Sequence, residues 1–323
     1  MARPNARWRR PDDKAVAHEV GYPPPVPPLD CLVIGAGPGG LMSAMYLARF
    51  RRNCAVVDAG GSRLHMIART RNVLGFPAGV AGRQLLETVR GHAARFGVGV
   101  TPGRVTALRA LPEGGFEAQA AGQRWRARAV VLATGAVDVQ PEVENLEQGL
   151  AQALVRYCPV CDGFESQDKR VAVLGRWEHG LNEAEFVAGF GNQVTWLSME
   201  TGSAMEPAEI ERLQHLGVRI ADGPPRRIRC VAGEPGQVEV ELAQGEPLQF
   251  DLMYSALGLN HASQLATEIG ARTLENGQLE IDAHLQTSIP GLYAVGDVAG
   301  GLNQINVAAG HAAIAATAIH NSL

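Results

Sequence analysis

A glycine-rich turn between two apolar runs constrains the fold of this chain more than any other feature. The first run, CLVIG, is short, apolar and β-branched, as in a buried parallel strand. Gly35, Gly37 and Gly40 then form a G-x-G-x-x-G pattern that leads into a helical apolar period. The next run, NCAVVD, ends in Asp58. This order predicts a βαβ unit in which the glycines permit a tight turn and close approach of a pyrophosphate, and the acid binds a ribose hydroxyl.

Composition narrows the class of protein further. The 323 residues suffice for about two domains, and 38 glycines with 5% aromatic residues fit an α/β chain with many tight turns. A net charge of −4 gives no bias toward nucleic acid or an anionic membrane. The longest apolar runs are shorter than the ~20 residues of a spanning helix. With five cysteines and no apolar signal segment, we expect a cytoplasmic protein. Residues 1–28, rich in Pro and Arg, are predicted to be a disordered arm.

Two distant segments indicate which dinucleotide is bound. Ala133, Thr134 and Gly135 follow one strand-like run, and Gly296 and Asp297 follow another before a long alanine-rich helix. An aspartate at a strand end can hydrogen-bond a polyol such as ribityl. The N-terminus of the helix that follows can stabilise negative charge on a reduced flavin.

The order of these segments resembles that of the low-molecular-weight thioredoxin reductases, which are flavoprotein disulfide reductases. An FAD fingerprint, A-T-G, C-x-x-C-D-G and T-S-x-P-G-L-Y-A-x-G-D follow one another from about residue 29 to the end. The resemblance implies an α/β two-dinucleotide-binding flavoprotein fold, with two nested Rossmann-like domains, small β-meanders and a homodimer. The FAD-binding domain would comprise residues 29–140 and 254–323. Residues 141–253 would form the inserted NAD(P)H-type domain that carries the cysteine pair.

The same resemblance implies the cofactor site. Gly35, Gly37, Gly40 and Asp58 would bind the adenosine and pyrophosphate of FAD, and Gln304 would lie near the isoalloxazine. Asn72 and the LGFP run keep the family pattern in a segment, LHMIARTRNVLGFPAG, that otherwise departs from it. The predicted cofactor-binding residues are Gly35, Gly37, Gly40, Asp58, Asn72, Ala133, Thr134, Gly135, Gly296, Asp297 and Gln304.

The stretch RYCPVCDGFE contains the only C-x-x-C of the chain. A structural zinc site needs four ligands, and the other cysteines do not form a second pair, so zinc is disfavoured. By resemblance, Cys158 and Cys161 form a redox disulfide. Cys161 would be the flavin-proximal thiol, Cys158 the thiol that exchanges with an external partner, and Asp162 the proton carrier.

The second nucleotide fingerprint departs from the family pattern. In KRVAVLGRWEHG, Gly175 and Gly180 take the first and third glycine positions, but Trp177 takes the second, where the backbone should approach a pyrophosphate. The next strand leads to Glu200, and no basic cluster is present to bind a 2′-phosphate. The sequence therefore makes NAD(P)H a doubtful cofactor.

Three functions are compatible with these features. The first is an FAD-dependent disulfide oxidoreductase that reduces a thioredoxin-like protein, with electrons from atypically bound NAD(P)H or a ferredoxin-like donor. The second is a dithiol oxidase that passes electrons from a small dithiol to dioxygen. The third is a non-catalytic FAD-binding redox sensor.

Overall fold

A computed structural model describes residues 28–199 and 206–323 of the chain. The predicted arm therefore lies outside the described residues except for Pro28, and so does Glu200. The side chains of Trp177 and Glu178 also lie outside the description.

The described residues form strands and helices that alternate along much of the chain. The strands are β1 (Leu29–Ile34), β2 (Cys54–Asp58), β3 (Val100–Pro102), β4 (Ala107–Ala110), β5 (Phe116–Ala120), β6 (Gln123–Leu132), β7 (Ala136–Asp138), β8 (Val155–Arg156), β9 (Arg170–Gly175), β10 (Gln193–Ser198), β11 (Arg219–Ile220), β12 (Arg227–Val231), β13 (Gln237–Glu241), β14 (Leu248–Phe250), β15 (Leu252–Ala256), β16 (Leu259–His261) and β17 (Leu292–Ala294). The helices are α1 (Pro38–Arg49), α2 (Gly82–Ala94), α3 (Leu146–Ala151), α4 (Pro159–Asp162), α5 (Trp177–Ala188), α6 (Pro207–His215), α7 (Gln264–Thr267) and α8 (Ile305–Ser322).

The larger sheet contains the predicted FAD fingerprint. Its strand order is β3-β2-β1-β6-β5-β4, with β17 also paired to β6. The strands β3, β2, β1, β6 and β17 run parallel to one another. The strands β4 and β5 form an antiparallel meander with β6. Side chains of β1 alternate between two cores: Cys31 and Val33 pack with α1, α2 and α8, and Leu32 and Ile34 pack with the meander.

Two glycines bring α1 against the sheet. Gly35 has a φ of 105°, and a Cβ at this position would overlap the carbonyl group of Ala133. A Cβ on Gly40 would overlap the carbonyl of Gly35. The first helical turn therefore approaches β1 more closely than any residue with a side chain would allow.

The smaller sheet repeats this arrangement. Its order, β11-β10-β9-β15-β8, is parallel throughout, and α5 connects β9 to β10. A second antiparallel meander, β12-β13-β14, packs beside it. The two βαβ units with attached meanders confirm the predicted fold class. The predicted boundary between residues 253 and 254 lies within β15, a strand of the smaller sheet that ends at Ala256.

A short ribbon connects the two sheets. β7 and β16 pair antiparallel, with Ala136 opposite His261 and Asp138 opposite Leu259. Because β7 follows the larger sheet and β16 follows the smaller one, both chain connections between the sheets pass through this ribbon. Across residues 28–199 and 206–323, no helix combines the length and apolar character needed to cross a membrane.

Candidate redox active site

Cys158 and Cys161 form a disulfide where β8 leads into the short helix α4, with an S–S distance of 2.08 Å. Cys158 is the residue before the helix, and Pro159 starts it. Both cysteines are half-buried. Among the described residues, no group of three or more His, Cys, Asp or Glu side chains could hold a metal ion.

The other three cysteines are unpaired thiols. Burial raises the pKa of Cys31 and of Cys230, and it raises the pKa of Cys54 to about 11. Their thiolates are therefore scarce at neutral pH. Thiol–disulfide chemistry in this chain belongs to the Cys158–Cys161 pair.

Gln304 lies against the disulfide. Its Nε2 is 3.5 Å from Sγ of Cys158 and 3.3 Å from Sγ of Cys161, within hydrogen-bonding distance of sulfur. Its Oε1 accepts a 2.9 Å hydrogen bond from Nδ2 of Asn72. Thr70 in turn donates to Oδ1 of Asn72, which fixes the orientation of that amide. The structure thus brings together Asn72, Gln304 and the two cysteines, which are up to 232 residues apart in sequence.

Asp162, the predicted proton carrier, is mostly buried behind the disulfide. Burial raises its pKa, while Arg156 and a hydrogen bond from Tyr254 oppose this rise. The Tyr254 hydroxyl donates to Oδ1 at 2.8 Å, and Nη1 of Arg156 lies 3.6 Å from Oδ2. A carboxyl group with a raised pKa and defined partners is suited to carry a proton.

A cavity of about 1490 Å³ runs from the glycine turn to the disulfide. The cavity wall includes all predicted cofactor-binding residues except Gly40, which lies beneath it in the helix–strand contact, and it also includes Cys158, Cys161 and Asp162. At one end, Oδ1 of Asp58 accepts a 3.0 Å hydrogen bond from the backbone N–H of Ala36. Thr134 donates to the carbonyl of Ala262 at 2.7 Å and so helps to fix this wall.

This cavity fits a flavin dinucleotide. A Cβ added at Gly37 would meet nothing closer than Ser62 Oγ at 3.8 Å, so the backbone there is open to a ligand. The N-terminus of α1 offers N–H groups to a pyrophosphate. Asp58, at one end, and Asp297, farther along the wall, can accept hydrogen bonds from sugar and polyol hydroxyls. The disulfide lies in the same wall, so the isoalloxazine ring of a flavin bound in this cavity could contact it.

Arg63 was not identified from the sequence. Its guanidinium binds both oxygens of Asp138, at 2.8 and 2.7 Å, and Oδ2 of Asp297 at 2.7 Å. It thereby joins the segment after β2, the connecting ribbon and the turn that follows β17. In the sequence, the one feature that distinguishes Arg63 is its position. It lies between Asp58 and the segment LHMIARTRNVLGFPAG, which differs from the family pattern.

The second fingerprint keeps the packing of a nucleotide-binding unit. A Cβ on Gly175 would lie 2.6 Å from Gly180 Cα, so α5 approaches β9 closely, as at the first fingerprint. The interpretation of Trp177 and Glu200 depends on groups outside the described residues. On the same helix, Glu183 lines the cavity, and its Oε1 is buried with no hydrogen-bond partner among the described residues. Burial raises the pKa of Glu183 to about 8.

The chain is similar to known proteins over most of its length. The family described as pyridine nucleotide-disulphide oxidoreductase matches residues 29–312. The thioredoxin reductase of Aquifex aeolicus (strain VF5) is 28% identical over 279 residues, which cover 83% of this chain and 85% of the relative. The solved structure of HlmI is 27% identical, and its match covers 91% of this chain and 92% of HlmI with a TM-score of 0.82.

A third solved structure matches the same share of this chain as HlmI does, but with a lower score. The Lactococcus lactis thioredoxin reductase in its FR conformation is 25% identical, with a match that covers 91% of this chain and 98% of that one, but its TM-score is 0.57. The share of this chain that is covered equals that for HlmI. The lower score therefore indicates a different arrangement of the matched parts rather than missing elements.

Proposed function

The chain belongs to the pyridine nucleotide-disulphide oxidoreductase family, and we propose that it is an FAD-dependent thiol–disulfide oxidoreductase of thioredoxin reductase type. Its external partner would be a thioredoxin-like protein or a small dithiol or disulfide. The curated relative of Aquifex aeolicus carries the name thioredoxin reductase, which supports the first of these partners.

One observation carries this proposal: the redox disulfide, Gln304 and the glycine turn all line one cavity. FAD, when bound there, supplies two-electron exchange with the disulfide. Gly37 and the α1 N-terminus would hold the pyrophosphate, Asp58 the ribose, and Asp297 the ribityl chain. Gln304, held by Asn72, would orient the sulfurs.

Asp162 would accept and donate the protons that thiol–disulfide exchange requires. An incoming thiol must lose a proton before it attacks, and each thiolate released from the disulfide gains one. The hydrogen bond from Tyr254 and the charge of Arg156 hold the carboxylate in one position while burial raises its pKa. The group can therefore accept a proton from the thiol and return it.

We also propose that NAD(P)H is not the usual electron donor. The close contact of Gly175 with Gly180 keeps the βαβ packing, but position 177 has a tryptophan where a glycine is needed for the pyrophosphate. Arg176 supplies one positive charge at the turn, whereas a 2′-phosphate calls for a basic cluster. A dithiol or a ferredoxin-like carrier would then exchange electrons with the enzyme.

Anaerobic mixing tests both parts of this proposal. The purified flavoprotein is mixed separately with NADPH, NADH and dithiothreitol, and flavin absorbance is followed. We expect bleaching by dithiothreitol and none by either nucleotide at micromolar concentration. Rapid bleaching by a nucleotide would overturn the proposal on the electron donor, and no bleaching by the dithiol would overturn the proposed exchange through Cys158 and Cys161.

A further inference from the structure

A second, smaller cavity of about 340 Å³ adjoins the disulfide. Its wall includes Cys161 and Asp162, together with the aromatic side chains of Phe164, Phe186 and Phe190. We call it the thiol pocket. Its volume lies at the lower end of the range for small-molecule sites. A redox sulfur and a proton carrier therefore line a pocket of small-molecule size.

The mouth of the thiol pocket is apolar. Val160 is 51% exposed, Phe164 69% and Phe186 45%. Phe186 packs edge-to-face on Phe190, with ring centroids 5.5 Å apart, which fixes the aromatic wall. Large apolar side chains grouped and exposed beside a reactive centre are typical of a binding surface.

The charges around the pocket are paired. Arg71, from the segment before α2, lies 3.9 Å from Glu165, which follows α4. Asp162 has Arg156 as its own cationic partner. An uncharged ligand matches this environment, because it leaves both pairs in place and covers the exposed rings.

We propose that the thiol pocket binds a small, uncharged, apolar dithiol, or the matching disulfide. The ligand would exchange with Cys158–Cys161 in the arrangement of the two sheets seen here. This inference rests on the proposed function and names the substrate class of the same site. A thioredoxin-like protein presents its disulfide on a surface far larger than this pocket, so it is the competing occupant.

The exchange balances without a further reactant. One substrate thiolate forms an S–S bond with Sγ of Cys161, the cysteine that lines the thiol pocket, as the Cys158–Cys161 bond breaks, and Cys158 leaves as a thiolate. This differs from the role that the family resemblance implies, in which Cys158 is the exchanging thiol. The second substrate thiolate then displaces the bound protein sulfur. The substrate loses two electrons and two protons and becomes a disulfide, and the two cysteines become a dithiol. Asp162 relays the protons.

Two probe dithiols test the pocket on the full-length flavoprotein. Anaerobic protein is mixed with 1,2-benzenedimethanethiol or dithiothreitol, quenched and alkylated. The reduced fraction of Cys158 and Cys161 is then measured by mass spectrometry. We expect the aromatic dithiol to reach half-saturation at a concentration about tenfold lower, since its ring buries apolar surface in the pocket.

Surface variants link that preference to the pocket. Phe164→Ser and, independently, Val160→Ser should raise the half-saturating concentration of the aromatic dithiol by about fivefold. Leu216→Ser is the matched control, because Leu216 is an exposed apolar side chain of the inserted part that lines neither cavity. We expect it to leave the preference unchanged.

Each outcome has a distinct meaning. The thiol pocket would be overturned, while the proposed function stands, if the two dithiols had the same half-saturating concentration. It would also be overturned if neither Phe164→Ser nor Val160→Ser changed the half-saturating concentration of the aromatic dithiol. The thiol pocket would also be overturned, with the proposed function intact, if a thioredoxin-like protein exchanged faster than the aromatic dithiol and the Phe164→Ser substitution did not change its rate. Failure of every dithiol and of that protein to reduce the cysteines would instead overturn the proposed function.

Discussion

The hydroxyl group of Tyr254 donates a 2.8 Å hydrogen bond to Oδ1 of Asp162. Tyr254 lies in β15, between β9 and β8 of the smaller sheet, whereas Asp162 ends the helix that carries the disulfide. Burial raises the pKa of Tyr254, so its hydroxyl stays protonated and remains a donor at neutral pH. The proton carrier is therefore held in place by a strand of the smaller sheet.

Replacing Tyr254 by Phe should shift the pH profile of thiol–disulfide exchange. Burial raises the pKa of Asp162, and the tyrosine hydrogen bond lowers it. Loss of the bond leaves the carboxylate less stabilised, so a higher pH is needed to ionise it. The acid limb of the exchange rate should move to higher pH, with a roughly two- to tenfold slower rate on that limb. Stopped-flow rates with dithiothreitol between pH 5 and 9 measure this, and an unshifted profile would remove Asp162 from proton transfer.

Replacing Cys158 by Ser should lower the rate at which a dithiol reduces the protein by about 100-fold or more, because no disulfide remains to accept electrons. The flavin content of the variant should equal that of the parent, since the glycine turn and Asp58 are unchanged. Cys54→Ala is the control, because this thiol is unpaired and its pKa is raised to about 11. An unchanged rate in Cys158→Ser would mean that electrons enter elsewhere.

Arg63→Met should weaken both the fold and flavin binding. The change leaves Asp138, whose side chain is 4% exposed, without its bidentate partner. Breaking a largely buried pair in this way costs about 3 kcal/mol. Urea denaturation and flavin absorbance per protein report the two effects. Arg109→Met, which removes an exposed partner of Glu117, should leave stability nearly unchanged. Equal effects of the two changes would contradict a special role for Arg63.

Glu183→Gln should stabilise the protein at alkaline pH. Burial raises the pKa of Glu183 from 4.5 to about 8, so the folded state keeps a proton that the unfolded state loses above pH 4.5. The stability of the parent due to this group is thus present at acid pH and falls as the pH rises toward 8. The glutamine variant lacks this loss and should exceed the parent by roughly 4 to 5 kcal/mol at pH 8.5.

Denaturant unfolding at pH 5 and pH 8.5 measures the difference. Glu185→Gln is the control on the same helix, since Glu185 pairs with Arg212 at the surface. Its effect should stay below about 1 kcal/mol at both values. A gain for Glu183→Gln that is the same at pH 5 and pH 8.5 would show that Glu183 is ionised in the folded protein.

The local parts of the site could be predicted from the sequence. The turn at Gly35 and the carboxylate of Asp58 follow from a pattern contained within one βαβ unit, and the structure adds the hydrogen bond between Asp58 and Ala36. The pairing of Cys158 with Cys161 follows from a four-residue motif and the family resemblance. The predicted homodimer and the disordered arm stay predictions.

The long-range parts could not be predicted in this way. Arg63 and Asp297 are 234 residues apart, and Tyr254 and Asp162 are 92 apart. Neither pair has a sequence spacing that a motif could record, because their distance is set by the packing of two sheets. Tyr254 in LMYSA appears as one more apolar strand residue, and Arg63 as a surface cation after a glycine pair.

The ribbon of β7 and β16 has a consequence for how the two sheets are held together. Both chain connections between the sheets run through it, so any change in their arrangement would involve these residues. Asp138 ends β7, and the guanidinium that binds it also binds Asp297 in the cavity wall. Arg63 therefore connects the ribbon between the two sheets to the wall of the cofactor cavity. Through this one side chain, the positions of Asp138 in the ribbon and Asp297 in the cavity wall constrain each other.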